Sequence, residues 1–387
     1  MNAQKEWPKR RLDELTEPAR PITYGVVKPG DHDDLNGVRF IRGGDIAEGK
    51  INISNLRTIT SEVSAGYKRT LLRGGEVVVS LVGNPGEAAV VPASLAGANI
   101  ARQTGLVALR DDVDSRYVMY FLRSPGGRAE LFAQTTGSVQ QVINLANLKN
   151  IRVPLPDLTT QRKIAGILST YDDLIENNLR RIKILEEMAQ SLYREWFVHF
   201  RFPGHESTSF TASSMGPIPK GWIVKPVEAV LKRLKAGTVY KKNDVSDSGS
   251  IPVIDQSTDL VLGYHQNKPD HQATASGPIA IFGDHTCKIQ LMTEPFSIGP
   301  NVIPFVASGN LPLFYVYFLI RDLASTQEYK RHWIQLNSNE VGVTTNEIAE
   351  RFHTFVQPIF EQFQLLQKQN QTLRRTRDLL LPQLLSQ

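Results

Sequence analysis

Several stretches of this 387-residue chain set reactive residue types at spacings that enzymes use. Gly44-Asp45-Ile46-Ala47-Glu48-Gly49-Lys50 has the G-x4-G-K spacing of a phosphate-binding loop. That loop needs a Ser or Thr hydroxyl next for its metal ion, and Ile51 stands there, so the stretch reads as a turn. Glu48-Gly49-Lys50 downstream of Asp31 has the acid–acid–lysine order of a nuclease centre, an order that a charged chain produces by chance. Gly83-Asn84-Pro85-Gly86 partly resembles the Asn-Pro-Pro-aromatic loop of amino methyltransferases, but the second proline and the stacking aromatic are missing. No glycine-rich cofactor-binding turn accompanies it. His265, His271 and His285 share one stretch without the spacing of a zinc site, and read as solvated or hydrogen-bonded side chains. The single cysteine, Cys287 beside Lys288, reads as a small buried residue rather than a nucleophile. The expectation is a chain with no catalytic, cofactor or metal site of its own.

Composition points the same way. Lys and Arg number 44 against 39 Asp and Glu, a net charge of +5, which suits a polyanionic partner without being densely cationic. No block of the chain is strongly basic, so much of any affinity for nucleic acid would come through a partner. One cysteine excludes a disulfide framework and suits a reducing cytoplasm. Met1–Arg11 is charged and lacks an apolar core, and the most apolar stretch, 77–101, is broken by Pro85 and Pro92. A secretion signal and a membrane span are not expected.

Two segments stand out by period. From Asp157 to about His199, Ile164, Leu168, Tyr171, Ile175, Asn178, Ile182, Leu185, Ala189, Leu192 and Trp196 recur at alternating steps of four and three. This is a heptad seam, and Asp157 after Pro156 is a candidate N-cap. One helix of roughly 60 Å results, too long to be solitary in a compact domain. The same alternation runs from Ile359 through Phe363, Leu366, Asn370, Leu373, Arg377, Leu380 and Leu384. A polar Asn in each seam costs stability and can fix register. The two segments read as partners in a coiled coil; the alternative is two separate surface helices.

The rest of the chain is rich in Gly and Pro, with short runs that read as buried strands: 76–80 (EVVVS), 105–109 (GLVAL), 278–282 (PIAIF) and 302–306 (VIPFV). Each block holds one short helix candidate, 116–123 and 314–321, and 204–219 reads as a linker. These helices expose an internal repeat: Tyr120-Phe121-Leu122 is echoed by Tyr317-Phe318-Leu319, and Pro156 by Pro358. The order in each half is a strand-rich domain and then a long helix. The expected architecture is α+β: two strand-rich globular domains separated by two long antiparallel helices in a coiled coil, with a pseudo-two-fold internal repeat. The boundaries are 1–156 and 202–357 for the domains, 157–201 for the central helix and 358–387 for the C-terminal one. Two similar domains on a rigid rod suit an extended ligand gripped in two places, and DNA is such a ligand.

Gly137-Ser138-Val139-Gln140-Gln141-Val142-Ile143, then 148–156 (LKNIRVPLP) and Gln161-Arg162-Lys163-Ile164, resemble the central region of Type I restriction–modification specificity subunits. The helix end at 192–198 (LYREWFV) resembles that family's aromatic close, and Gly283-Asp284-His285-Thr286 a loop of its recognition domains. The second copy, at 340–344 and 355–358, lacks the double proline. The resemblance implies a non-catalytic DNA-reading subunit, with each globular domain a target recognition domain for one half of a split, asymmetric site. The coiled coil would set the gap and carry two modification subunits, which bring S-adenosylmethionine. Restriction subunits would join outside. A scaffold that bridges proteins without reading DNA is the alternative from another class, and a self-contained nuclease is a third.

Direct readout uses Arg or Lys for guanine and Asn or Gln for adenine. In the first domain the candidates are Arg42, Arg102, Gln103, Gln140 and Gln141. In the second they are Lys232, Arg233, Lys235, Lys241 and Lys242, a basic turn with Tyr240 among them, plus His285 and Lys288.

Overall fold

The computed structural model describes residues 7–30, 32, 36–133, 142–257, 260–323 and 332–385. The chain divides into two compact units, Met1–Asn178 with Gln369–Gln387, and Leu179–Lys368.

The first unit is built on a four-stranded antiparallel sheet in the order Thr23–Tyr24, Thr104–Val107, Val77–Ser80, Ala88–Val90. Val77, Val78 and Val79 are all fully buried because both faces of this sheet are covered. Val77 and Val79 pack with Tyr117, Leu122 and Ile164, while Val78 packs with Ile41, Ile100 and Leu106. Double coverage explains an unbroken apolar run in place of an alternating one. A second sheet has strand Val38–Ile41 at its centre, antiparallel to Arg57–Ile59 and parallel to Asn99–Ile100. Helix Ser115–Arg123 starts on Asp114, which accepts the Tyr117 N–H at 3.0 Å.

The first long helix, Leu158–Tyr193, continues through a π turn at Arg194–Val198. Asp157 caps it, accepting the Thr160 N–H at 3.0 Å. Gln161 fastens this start to the sheet domain: its amide donates to the Pro156 carbonyl at 2.8 Å and accepts the Asp114 N–H at 2.9 Å. Within the first unit the two long helices run in opposite directions side by side. Asp172 pairs with Arg377, and Asn178 donates to Asn370 at 2.9 Å.

The second unit has a four-stranded antiparallel sheet in the order Leu231–Arg233, Val302–Ala307, Ile279–Gly283, Ile289–Met292. Its three-stranded sheet centres on Ile251–Ile254, antiparallel to Val261–His265 and parallel to Ser297–Ile298. The close of the first long helix enters this core. Phe197 lies 4.9 Å from Tyr315 and 5.0 Å from Phe352, ring centre to ring centre.

Two expectations need correction. The second long helix spans Asn346–Leu385 and so begins well before Pro358. A proline inside a helix costs about 3 kcal/mol. Upstream, Ala349, Phe352 and Val356 are fully buried, and the two larger side chains alone contribute about 1.5–3 kcal/mol each, which outweighs the proline. The stretch 204–219 is not a bare linker either. Phe210–Thr211 pairs with Ile218–Pro219, and Phe202, Ile218 and Trp222 are buried together.

Candidate nucleic-acid interface

Three loops of the first unit meet beyond the ends of its strands. Strand Val38–Ile41 runs into the short turn Gly43–Asp45, strand Asn99–Ile100 into 101–103, and strand Val77–Ser80 into 81–86. Backbone hydrogen bonds knit them: Ala101 donates to the Ile41 carbonyl and Leu81 to the Gln103 carbonyl, both at 2.8 Å. Gly43 is the floor of the junction. A Cβ there would lie 2.7 Å from Ser80 Oγ and 2.8 Å from the Val82 carbonyl oxygen, so no larger residue fits.

Arg42, Arg102 and Gln103 are all exposed around this floor. Arg42 is held in place by Asp45, with Nε donating to Oδ2 at 3.1 Å and Nη2 to Oδ1 at 2.9 Å. The Asp45 hydrogen bonds, and then its charge, raise the Arg42 pKa, so the cation is permanent. Two of its five N–H groups are used, leaving the outer edge of the guanidinium for an acceptor pair such as guanine O6 and N7. Gln140 and Gln141, with Gly137 and Ser138, lie outside the described residues.

The second-unit candidates fall into separate sets. Lys232 and Arg233 are exposed on edge strand Leu231–Arg233, and Lys235 is exposed just beyond it. Lys288 is exposed before Ile289–Met292, the opposite edge of the same sheet. Three strand spacings separate those edges, about 14 Å. Lys241 and Lys242 are exposed in another turn, where Lys242 Nζ donates to the Leu262 carbonyl at 3.1 Å. Tyr240 is not presented with them. It is buried and stacked on His265 at 4.3 Å with an interplanar angle of 8°.

His285 is half-buried, and its backbone N–H donates to Gln256 Oε1 at 2.9 Å. The motif around it is structural in part: Asp284 Oδ1 accepts the Trp333 N–H at 2.9 Å, at the start of helix His332–Ser338. Burial first, and then the Asp284 charge, push the Cys287 thiol up, so it sits there as a neutral small residue.

Gln256 was missed by motif reading. It follows strand Ile251–Ile254 as Gly43 follows Val38–Ile41, and only alignment of the two halves could have singled it out.

The stretches with enzyme-like spacing take other places. Glu48-Gly49 is the tip of a hairpin between Ile46–Ala47 and Lys50–Ile51, with both tip residues at positive φ. Lys50 pairs with Glu176, and Glu48 with Arg374 at 3.7 Å. Asn84-Pro85 lies in the turn between two antiparallel strands, Val77–Ser80 and Ala88–Val90. Among the described residues no group of three His, Cys, Asp or Glu side chains is placed to hold a metal ion, and no helix is long and apolar enough to cross a membrane.

Exposed cations and an amide, Arg42, Arg102 and Gln103, thus stand together on loops around Gly43. Residues 4–187 match the family model described as Type I restriction modification DNA specificity domain. Over 299 residues the chain is 27% identical to the Type I restriction enzyme MjaIX specificity subunit of Methanocaldococcus jannaschii, spanning 71% of this chain and 69% of that one. It is 29% identical over 198 residues to the Type I restriction enzyme EcoBI specificity subunit of Escherichia coli, spanning 50% of this chain and 41% of that one. The crystal structure of the Type-I restriction-modification system S subunit from M. genitalium shares the fold, with a TM-score of 0.61 at 16% identity, covering 100% of this chain and 98% of that one. Residues 4–187 thus match the Type I restriction modification DNA specificity domain, and the chain is similar to Type I restriction enzyme specificity subunits.

Proposed function

We propose that this chain is the DNA-reading subunit of a Type I restriction–modification complex, each half reading one part of a split, asymmetric site. The observation that carries the two-part reading is a repeated hydrogen-bond frame behind the loops. In the first half Ala101 donates to Ile41, Leu81 to Gln103 and Ile143 to Leu81, at 2.8, 2.8 and 3.0 Å. In the second Gly299 donates to Ile254, Asp284 to Asn301 and His332 to Asp284, at 2.8, 2.8 and 3.2 Å. The strand orders correspond as well, which supports an internal repeat with pseudo-two-fold symmetry.

In this reading Arg42, Arg102 and Gln103 face the bases of one half-site. Lys232, Arg233, Lys235, Lys241, Lys242, His285 and Lys288 hold the other half, largely through phosphates. The long helices form an antiparallel coiled coil that sets the gap. Supporting this, Ile164, Leu168, Ile175, Asn178, Leu366 and Asn370 are buried, and Tyr171, Ile182, Leu185, Leu373 and Leu380 half-buried. Two modification subunits dock on the chain and bring S-adenosylmethionine, restriction subunits join outside them, and the assembly works in a bacterial or archaeal cytoplasm. The chain itself performs no chemistry.

Methylation-site mapping of the host with the gene present and deleted tests this. A split motif that disappears on deletion supports the reading; an unchanged methylome contradicts it and favours a protein scaffold.

A further inference from the structure

The Glu48-Gly49-Lys50 stretch has a place in the fold that its enzyme-like spacing does not explain. Strand Val38–Ile41 leads into the Arg42–Asp45 turn and from there directly into the hairpin Ile46–Ala47/Lys50–Ile51. The Asn52 N–H closes the hairpin base on the Asp45 carbonyl at 2.8 Å, and Asp45 is the residue that orients Arg42. One end of the hairpin is therefore the Arg42 loop. The other end reaches both long helices, through Lys50 to Glu176 on the first and Glu48 to Arg374 on the second.

One helical turn away on each helix lie Asp172 and Arg377, paired at 2.5 Å, with the Tyr120 hydroxyl donating to Asp172 at 2.6 Å. Residues 172 and 176, and 374 and 377, share helix faces, so the hairpin tip and Tyr120 grip the same side of the helix pair. The tip turns at Gly49, beside the end of the Arg123 side chain. Gly49 has φ +82°, and a Cβ there would lie 2.6 Å from Arg123 Nη1.

We propose that this hairpin is a strut, and that Glu48 and Lys50 are positioning residues that set where the Arg42 loop meets DNA relative to the helix pair. Resting on the DNA-reading function above, the proposal adds that tolerance to spacer length is controlled at the hairpin tip. The strut reads no base. A loop held at its base by strand pairing and at its tip by two ion pairs cannot tilt freely, so a half-site displaced along the duplex is met badly. With the tip released, the loop follows the displaced half-site.

The test is a methylome of cells carrying the full complex with the chain as Glu48→Lys/Lys50→Glu, which leaves net charge unchanged and turns both tip pairs repulsive. The expected result keeps both half-site sequences, while methylation of sites with a spacer one base pair longer or shorter rises roughly three- to tenfold relative to the parent spacer, the scale of two exposed ion pairs. Adding Glu176→Lys/Arg374→Glu restores both attractions and returns the spacer to its parent strictness. A double variant that holds the parent spacer as strictly as the unaltered chain overturns the strut, as does a widened spacer that the fourfold variant fails to narrow. A changed base in either half-site also overturns it, because the hairpin would then be reading sequence. Absence of any motif dependent on the unaltered chain would contradict the DNA-reading function itself, a different result from each of these.

Discussion

Arg377 and Asp172 are both nearly enclosed, and the Tyr120 hydroxyl completes the carboxylate's partners. Burial, and then the hydrogen bond to Asp172, push the Tyr120 phenol well above its usual range, so it stays a donor at every working pH. Removing one partner of a buried pair strands the other charge, which costs about 3–5 kcal/mol, whereas removing both with apolar groups of similar size is close to neutral. Arg377→Met is therefore expected to lower the urea midpoint of the first unit strongly, and Arg377→Met with Asp172→Leu to recover only part of the loss, the Tyr120 hydroxyl then lacking its acceptor. His271 acts in the opposite sense to a salt-bridged histidine. Stacked on Phe296 and facing the Ala236 carbonyl, it is held below its usual pKa by burial, with that hydrogen bond and Asp270 partly offsetting. The unfolded chain then binds the proton more readily, so stability is complete above the unfolded value of about 6.5 and falls as pH drops through it. Urea titrations at a series of pH values should show this fall, and His271→Phe should flatten it.

The long helices were legible because periodic spacing is a local property. Asp157 was legible as a cap because a short acidic residue after proline and before an apolar period has few other uses. Asn178 and Asn370 stand out in each seam by type alone, and the structure hydrogen-bonds them. Asn178→Leu is expected to cost about 1–3 kcal/mol, because the Asn370 amide then keeps only its 3.5 Å hydrogen bond to the Ile175 carbonyl. Replacing both should recover that loss, and a double-mutant cycle by urea unfolding measures the difference. The start of the second long helix was misplaced because Pro358 is a strong local signal. The burial of Phe352 and Val356 that overrides it is a tertiary effect. Pairings distant in sequence, Lys50 with Glu176 or Gln256 with His285, leave no local trace, so the strut and the role of Gln256 were out of reach of spacing arguments. Arg42 was singled out by residue type, whereas the tight packing of Gly43 beside it emerges only once Ser80 and Val82 are placed against it.

At the scale of the molecule, the account rests on two halves with one hydrogen-bond frame and different loop residues upon it. Arg42, Arg102 and Gln103 surround Gly43 in the first half, whereas Gln256, His285 and Asn301 occupy the matching loops in the second. Frames that match while loops differ suit the reading of two unlike half-sites. On the proposed function, a net charge of only +5 leaves the isolated chain few phosphate contacts of its own, so its DNA binding should be weak and fall steeply with salt. The most direct measurement exchanges residues 1–156 for the matching domain of a relative and maps methylated sites in a host that carries the full complex. One half of the split motif should change to the relative's, with the other half and the methylated fraction retained. A folded, assembled chimera that loses both halves, or keeps both unchanged, would contradict reading by two independent domains.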